Sequence, residues 1–179
     1  YDNDGDTDVF ISNYGANVLY SNSADGRFRD HTIAAGVGDQ RWGTGCTFLD
    51  IDNDGLLDLY VANYLDYTLD EPGKDLTPYV VAAGDTPRMD LRAYPSPDNF
   101  DGAADVLYRN VGDGTFVDVT EKAGVLNPDG KGMGVVGGDY DGDGFVDIFV
   151  ANDQRANFLY RNGGGGTFTD MALIAGVGY

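Results

Sequence analysis

Hydrophobic and polar positions alternate along this chain in short stretches, and the stretches recur. Residues 57–63 read Leu-Asp-Leu-Tyr-Val-Ala-Asn, which places Leu59 and Val61 on one face of an extended strand. The same reasoning predicts strands over Thr44–Leu49, Leu57–Asn63, Val106–Asn110 and Phe116–Thr120. The last two are joined by a Gly-Asp-Gly turn. Asp25-Gly26, Asp113-Gly114 and Gly165-Gly166 hold corresponding places, where a tight hairpin needs positive φ. No stretch sustains a 3.6-residue period, so almost no helix is expected. The segments ending Ala-Gly-Val at Val37, Val125 and Val177 read as tight turns between units.

The strands belong to a repeat. YDNDGDTDVFISN from Tyr1, DIDNDGLLDLYVAN from Asp50 and DYDGDGFVDIFVAN from Asp139 align. A second block follows each: NVLYSNSADGRFRDHTIAAGV from Asn17, DVLYRNVGDGTFVDVTEKAGV from Asp105 and NFLYRNGGGGTFTDMALIAGV from Asn157. Glycine-rich strands, GTGCTFLD from Gly43 and GMGVVGGD from Gly132, precede two of the aspartate loops. The period is about 50 residues. It divides the chain into repeats over about 1–42, 43–131 and 132–179, the middle one stretched by an insertion over about 65–104. Four short strands per unit predict an all-β fold, a β-propeller-type array of four-stranded blades, with a β-solenoid as the alternative. The insertion holds Pro72, Pro78, Pro87, Pro95 and Pro97 and many acids. It reads as an irregular surface excursion, or, because Tyr79, Val80, Val81 and Tyr94 are apolar, as a recognition or subunit-contact loop.

Charge narrows the function classes. Thirty acidic against 11 basic residues leave a net charge of −19, which repels phosphate backbones and anionic lipid surfaces. Nucleic acid is therefore not an expected partner. No run of about 18 apolar residues exists, so no membrane insertion is expected. Hydrophobic content of 42% is too high for a disordered acidic tail. The single cysteine allows neither an internal disulfide nor a cysteine zinc site. A chain opening on Tyr1 reads as a processed or partial polypeptide, and its length suits one domain or one piece of a larger array.

The acids are concentrated where they carry chemistry. Loop three presents Asp139, Asp141, Asp143 and Asp147 with Gly144 after the third; loop two presents Asp50, Asp52, Asp54 and Asp58 with Gly55; loop one presents Asp2, Asp4 and Asp8 with Gly5. This spacing folds alternate side chains around one point. The backbone carbonyl two residues after the third acid, at Asp6, Leu56 or Phe145, adds a further oxygen. An all-oxygen set with room for water suits Ca²⁺ at about 2.3–2.6 Å better than Mg²⁺, and the absence of His and Cys argues against zinc or copper. Each close carboxylate pair repels by about 1 kcal/mol in water and more when partly buried. A divalent ion relieves that, so two to three calcium ions are expected. An ion enclosed between two strands fixes a hairpin and leaves little space for substrate, which favours a non-catalytic role.

Other residues attract simpler readings. His31, where sister repeats carry Val119 and Met171, is expected to fill a strand. Cys46 is expected to pack against Val135 of the next unit. Phe28, Phe116, Phe168, Tyr20, Tyr108 and Tyr160 recur as core positions. Asp30, Asp118 and Asp170 recur outside the loops as hydrogen-bond acceptors, with a glycosidase-type carboxylate pair as the remote alternative. Trp42 beside Arg41 can stack on a sugar.

The aspartate loops, followed by Leu-Tyr-Val-Ala-Asn, Leu-Tyr-Arg-Asn, Gly-Asp-Gly-Thr-Phe and Glu-Lys-Ala-Gly-Val, resemble FG-GAP/VCBS repeats over nearly the whole chain. The resemblance implies a calcium-bearing extracellular β-propeller akin to integrin α-subunit heads, with an adhesion or surface-assembly role. Expected partners are other protein subunits or extracellular matrix and surface components, glycan included. Head-to-tail contact between copies would build a homo-oligomer or filament, the competing reading being part of a longer propeller. From another class comes a lectin or calcium-dependent polysaccharide lyase, for which Lys74, Arg88 and Arg92 are the cluster to test.

Overall fold

Where the sequence alternates, the backbone pairs. The structure, a computed structural model, describes residues 1–67 and 96–179. Unit 1 comprises β1 (Val9–Ile11), β2 (Val18–Asn22) and β3 (Phe28–Asp30). Unit 2 comprises β4 (Gly43–Leu49), β5 (Asp58–Asn63), β6 (Val106–Asn110) and β7 (Phe116–Asp118). Unit 3 comprises β8 (Gly132–Gly138), β9 (Asp147–Asn152), β10 (Phe158–Asn162) and β11 (Phe168–Asp170). Each unit is one antiparallel sheet whose strands follow chain order, giving sheets of three, four and four strands. The all-β repeat array is thus as expected, and the described residues form a series of sheets rather than a closed ring.

The core lies between sheets. One apolar cluster joins unit 2, through Leu49, Ile51, Tyr60 and Val125, to Ile148, Val150, Tyr160 and Phe168 of unit 3. The other joins Leu19, Ala35 and Val37 of unit 1 to Leu59, Val61, Tyr108 and Phe116 of unit 2. Strand β5 serves both clusters. Successive side chains point to opposite faces, so Leu59 and Val61 enter one and Tyr60 and Ala62 the other, and the whole strand is buried. Its sequence is accordingly a nearly continuous apolar run. The glycine-rich inner strands allow the sheets to approach: a Cβ on Gly45 would lie 3.0 Å from the Gly134 Cα. Gly45, rather than Cys46, makes this contact with β8, and Cys46 packs against the other cluster alongside Phe10 and Phe48.

The expectation of almost no helix is met, with one addition. Each Ala-Gly-Val segment contains a single helical turn: α1 (Thr32–Ala35), α2 (Thr120–Ala123) and α3 (Ala172–Ala175), each closed by a glycine in the left-handed region. One turn is too short for helical periodicity to register in sequence. His31, Val119 and Met171 stand at the start of these turns, not within strands. Asp30, Asp118 and Asp170 accept hydrogen bonds from the amides of Thr32, Thr120 and Ala172, and so anchor the turns as acceptors. Thr32 in turn accepts from the Leu19 amide, and Thr120 from that of Leu107. Ala172 has no hydroxyl, and Asp170 takes the Leu159 amide itself.

Of the insertion, Leu65 bridges Gly102 and a 3₁₀ turn spans Pro97–Asn99. Tyr79, Val80, Val81 and Tyr94, and the lyase cluster Lys74, Arg88 and Arg92, lie outside the described residues. No helix among the described residues is long and apolar enough to cross a membrane.

Candidate metal centre

Each aspartate loop leads into the second strand of its sheet, or in unit 1 into β1, and its last acid is part of that strand or just ahead of it. This acid is a clamp. Asp58 Oδ2 accepts from the Ile51 amide at 2.9 Å and Oδ1 from the Asn110 amide at 2.8 Å. Asp147 repeats the pattern with Tyr140 at 3.0 Å and Asn162 at 2.8 Å. Asp8 does so with the Tyr1 nitrogen at 2.6 Å and Asn22 at 2.9 Å. The clamp joins the loop to the adjacent strand and buries the carboxylate, Asp58 being only 1% exposed. Burial pushes the Asp58 carboxyl up to about 6 against the two amide bonds, and Asp52 and Asp54 add to the rise.

The first acid organises the turn. Asp50 accepts from the amides of Asp54 and Gly55; Asp139 accepts from those of Gly142, Asp143 and Gly144. Oxygen atoms of Asp50, Asp52 and Asp58 all lie within 4.8 Å of one another, and so do those of Asp139, Asp141 and Asp147. Oxygens on one calcium lie on a sphere about 4.6–5.2 Å across, so both triads have the required span. Asp52 Oδ1 is buried and has no hydrogen-bond partner. A carboxylate oxygen shut away from water without a donor is costly, and a cation at the centre of the triad supplies what the protein does not. The residues of loop two therefore fit the ion.

The other expected ligands are arranged differently. Asp54 and Asp143 stand outside the triads, their Oδ1 atoms accepting from the amides of Leu56 and Phe145. Leu56 and Phe145 are half-buried, with side chains laid over Gly112 and Gly164. In loop one, Asp2 and Asp4 are exposed and accept from the amides of Asp4 and Asp6; Asp6 is half-buried. Asp2, Asp4 and Asp8 do not form a triad of the kind seen in loops two and three.

Three features escaped the sequence reading. Arg161 Nε donates to Asp141 Oδ2 at 2.5 Å and Nη2 to Asp143 Oδ2 at 3.1 Å, while Arg109 stands 3.6 Å from Asp52. Both arginines sit in Leu-Tyr-Arg-Asn, and their shared place opposite an acidic loop was the available signal. Asparagines also tie successive loops together: Asn3 Nδ2 donates to the Gly55 carbonyl at 2.8 Å and Asn53 Nδ2 to that of Gly144 at 3.2 Å. In return Asn110 reaches the Tyr1 carbonyl at 2.9 Å and Asn162 that of Ile51 at 2.8 Å. Finally, Asp105 is buried, accepting from Tyr60 Oη, Asn127 Nδ2 and the Asn63 amide. Burial raises its carboxyl to about 6 despite these bonds and the nearby Arg41. Asn17 and Asn157 hold the same place in the sister units.

The repeat has relatives among known proteins. Cartilage acidic protein 1 of Homo sapiens is 25% identical over 174 residues, covering 83% of this chain and 26% of that protein. Its Mus musculus counterpart is 28% identical over 174 residues, covering 83% of this chain and 27% of that protein. The chain thus spans about a quarter of the length of the curated relatives it matches. The sequence profile of the FG-GAP-like repeat matches residues 1–61, 75–150 and 139–178, and each of these stretches begins at or runs through one of the acidic triads described above. With aspartate loops, strand order and inter-sheet cores recurring in register, this chain belongs to the FG-GAP-like repeat family.

Proposed function

We propose that this chain is a non-catalytic, calcium-stiffened repeat module that works outside the cell in adhesion or structural surface assembly. The observation that carries the reading is the unpaired, buried Oδ1 of Asp52, a residue whose carboxylate gathers with those of Asp50 and Asp58 within 4.8 Å. Asp50, Asp52 and Asp58 hold one ion, joined by Asp54 and the Leu56 carbonyl; Asp139, Asp141 and Asp147 hold another, joined by Asp143 and the Phe145 carbonyl. Asp2, Asp4, Asp6 and Asp8 are the corresponding set in loop one. The ion neutralises the carboxylates and locks the loop on which the clamp and the inter-loop asparagines depend. Modules of extracellular type bind calcium at about 10⁻⁴–10⁻³ M, which matches a calcium-rich exterior, and the relatives are named for cartilage.

Elemental analysis and thermal unfolding with and without a calcium chelator test this. An ion at about ten times its dissociation constant adds about 1.4 kcal/mol. For two sites, chelation should then lower Tm by roughly 5–10 °C. Bound calcium should fall by one equivalent in Asp52→Asn. A Tm indifferent to chelation, with no calcium retained, overturns the reading.

The partner for which the end faces are suited is another unit of the same repeat. Val9, Ile11 and Phe28 of unit 1 and Tyr140 and Val177 of unit 3 are exposed, at positions whose counterparts are buried between units. Sedimentation at millimolar calcium tests stacking of copies, which paired Val9→Glu and Phe28→Glu changes should abolish. A carbohydrate reading draws on Trp42, whose ring meets Tyr14 and Tyr64 edge-on with centroids 5.3 Å apart. A glycan array responsive to Trp42→Ala would favour it.

A further inference from the structure

Arg109 and Arg161 each stand one residue before the asparagine whose amide clamps the last acid of the loop. That clamp fixes where the arginine emerges. Tyr160 and Asn162 are buried, so strand alternation turns Arg161 outward above its own loop. Unit 1 has Ser21 at this position.

The two arginines engage their loops unequally. Arg161 spans two acids of loop three, with donor distances of 2.5 Å to Asp141 and 3.1 Å to Asp143. Arg109 approaches only Asp52, at 3.6 Å, beyond hydrogen-bond reach, and Asp52 Oδ1 stays buried without a donor. A planar guanidinium fork matches paired carboxylate oxygens, and Arg161 sets one nitrogen against Asp141 Oδ2 and another against Asp143 Oδ2. Loop three therefore contains a cation of the chain's own that loop two lacks at comparable distance.

We propose that Arg161 is the resident counter-ion of loop three: it competes with a divalent cation for Asp141 and Asp143, so that loop two loads first and loop three only at higher cation concentration. This rests on the calcium reading above and adds to it an order of loading and the residue that sets it. Asp141 lies in the triad and Asp143 is an expected ligand, so the ion and the guanidinium draw on the same two carboxylates. Arg161 is exposed, and solvent-exposed ion pairs are individually weak. Two of them separate the loading midpoints by roughly three- to tenfold, not by orders of magnitude.

Calcium titration of the intact chain followed by NMR tests the order, with the Gly55 and Gly144 amides reporting loops two and three. The Gly55 signal should move first and the Gly144 signal at roughly three- to tenfold higher calcium. The Arg161 Nε–H signal should shift together with Gly144. In Arg161→Gln the Gly144 midpoint should fall towards that of Gly55, while Gly55 is unaffected. Arg161→Lys, which keeps charge but not the fork, should lie between. Arg109→Gln should move the Gly55 midpoint less than Arg161→Gln moves that of Gly144. A Gly144 midpoint unchanged or raised in Arg161→Gln overturns the proposal while leaving calcium binding intact. If neither glycine responds to millimolar calcium, the metal reading itself fails, and the order of loading with it.

Discussion

Phe28, Phe116 and Phe168 open the same outer strand in the three units, yet Phe116 and Phe168 are 7% and 8% exposed while Phe28 is 52% exposed. On the opposite side, Ile51 is buried where Tyr140 is exposed, and Val125 is buried where Val177 is exposed. The residues barely change between units; what lies against them does. A unit of this repeat has no complete core of its own, since both clusters are assembled from two adjacent sheets. Stability in such an array resides in the joints as much as in the sheets. The expectation that all three phenylalanines are core positions is accordingly correct for units 2 and 3 and wrong for Phe28.

The contrast can be broken by mutation, most forcefully at the phenylalanines. Phe168→Ala should cost about 3–5 kcal/mol, against under about 1 kcal/mol for Phe28→Ala at an exposed site. Chemical denaturation midpoints would show the difference. Equal losses would mean that Phe28 is covered in solution, as stacking requires.

The joint between units 2 and 3 also contains a titrating acid that its sister positions lack. Asp105 has its carboxyl raised to about 6, from an ordinary value of 3.8. Between those values the folded chain keeps the proton that the unfolded chain releases. Its contribution is therefore fully present below about pH 4 and lost as pH rises through about 6, a decline of up to about 3 kcal/mol. Stability measured across this range with calcium held constant should slope downwards more in the native chain than in Asp105→Asn. Parallel slopes would show that the carboxyl titrates normally.

The smallest expected contrast compares two glycines with the same backbone. Gly124 and Gly176 have φ of +83° and +75°, but a Cβ on Gly124 would lie 2.9 Å from the Phe168 carbonyl oxygen, and one on Gly176 would meet nothing within 4 Å. Alanine at Gly176 should cost about 1 kcal/mol from left-handed strain alone. At Gly124 the cost should be greater by about 1–2 kcal/mol, because a backbone group of the next unit must move. Equal thermal shifts would place the joint further apart than the structure does.

Much of the site was legible because it is local. The three aspartate loops, their glycines and the strands leaving them follow from spacing within ten residues or so. Asp30, Asp118 and Asp170 were legible as acceptors for the same reason, each bonding an amide two residues on. The helical turns were missed because four residues show no period. Arg161 was missed because its acids stand 18 and 20 residues away across a hairpin. The identical spacing in loops two and three also concealed that Asp52 keeps an unpaired buried oxygen while Asp141 is held by a guanidinium.

By itself, the sequence determined the repeat, the strand alternation, the oxygen-only character of the loops and the membership of the array in its class. These depend on dihedral preference and on the chemistry of near neighbours. Only the tertiary structure decided which acids share a point, that Asp105 is buried while most acids stay in water, and that Phe28 and Tyr140 are exposed where Phe116 and Ile51 are buried. Those outcomes depend on contacts such as Asn162 to Ile51, 111 residues apart. Burial, desolvation and pairing are properties of what packs against a residue, and a repeat places the same residue against different neighbours.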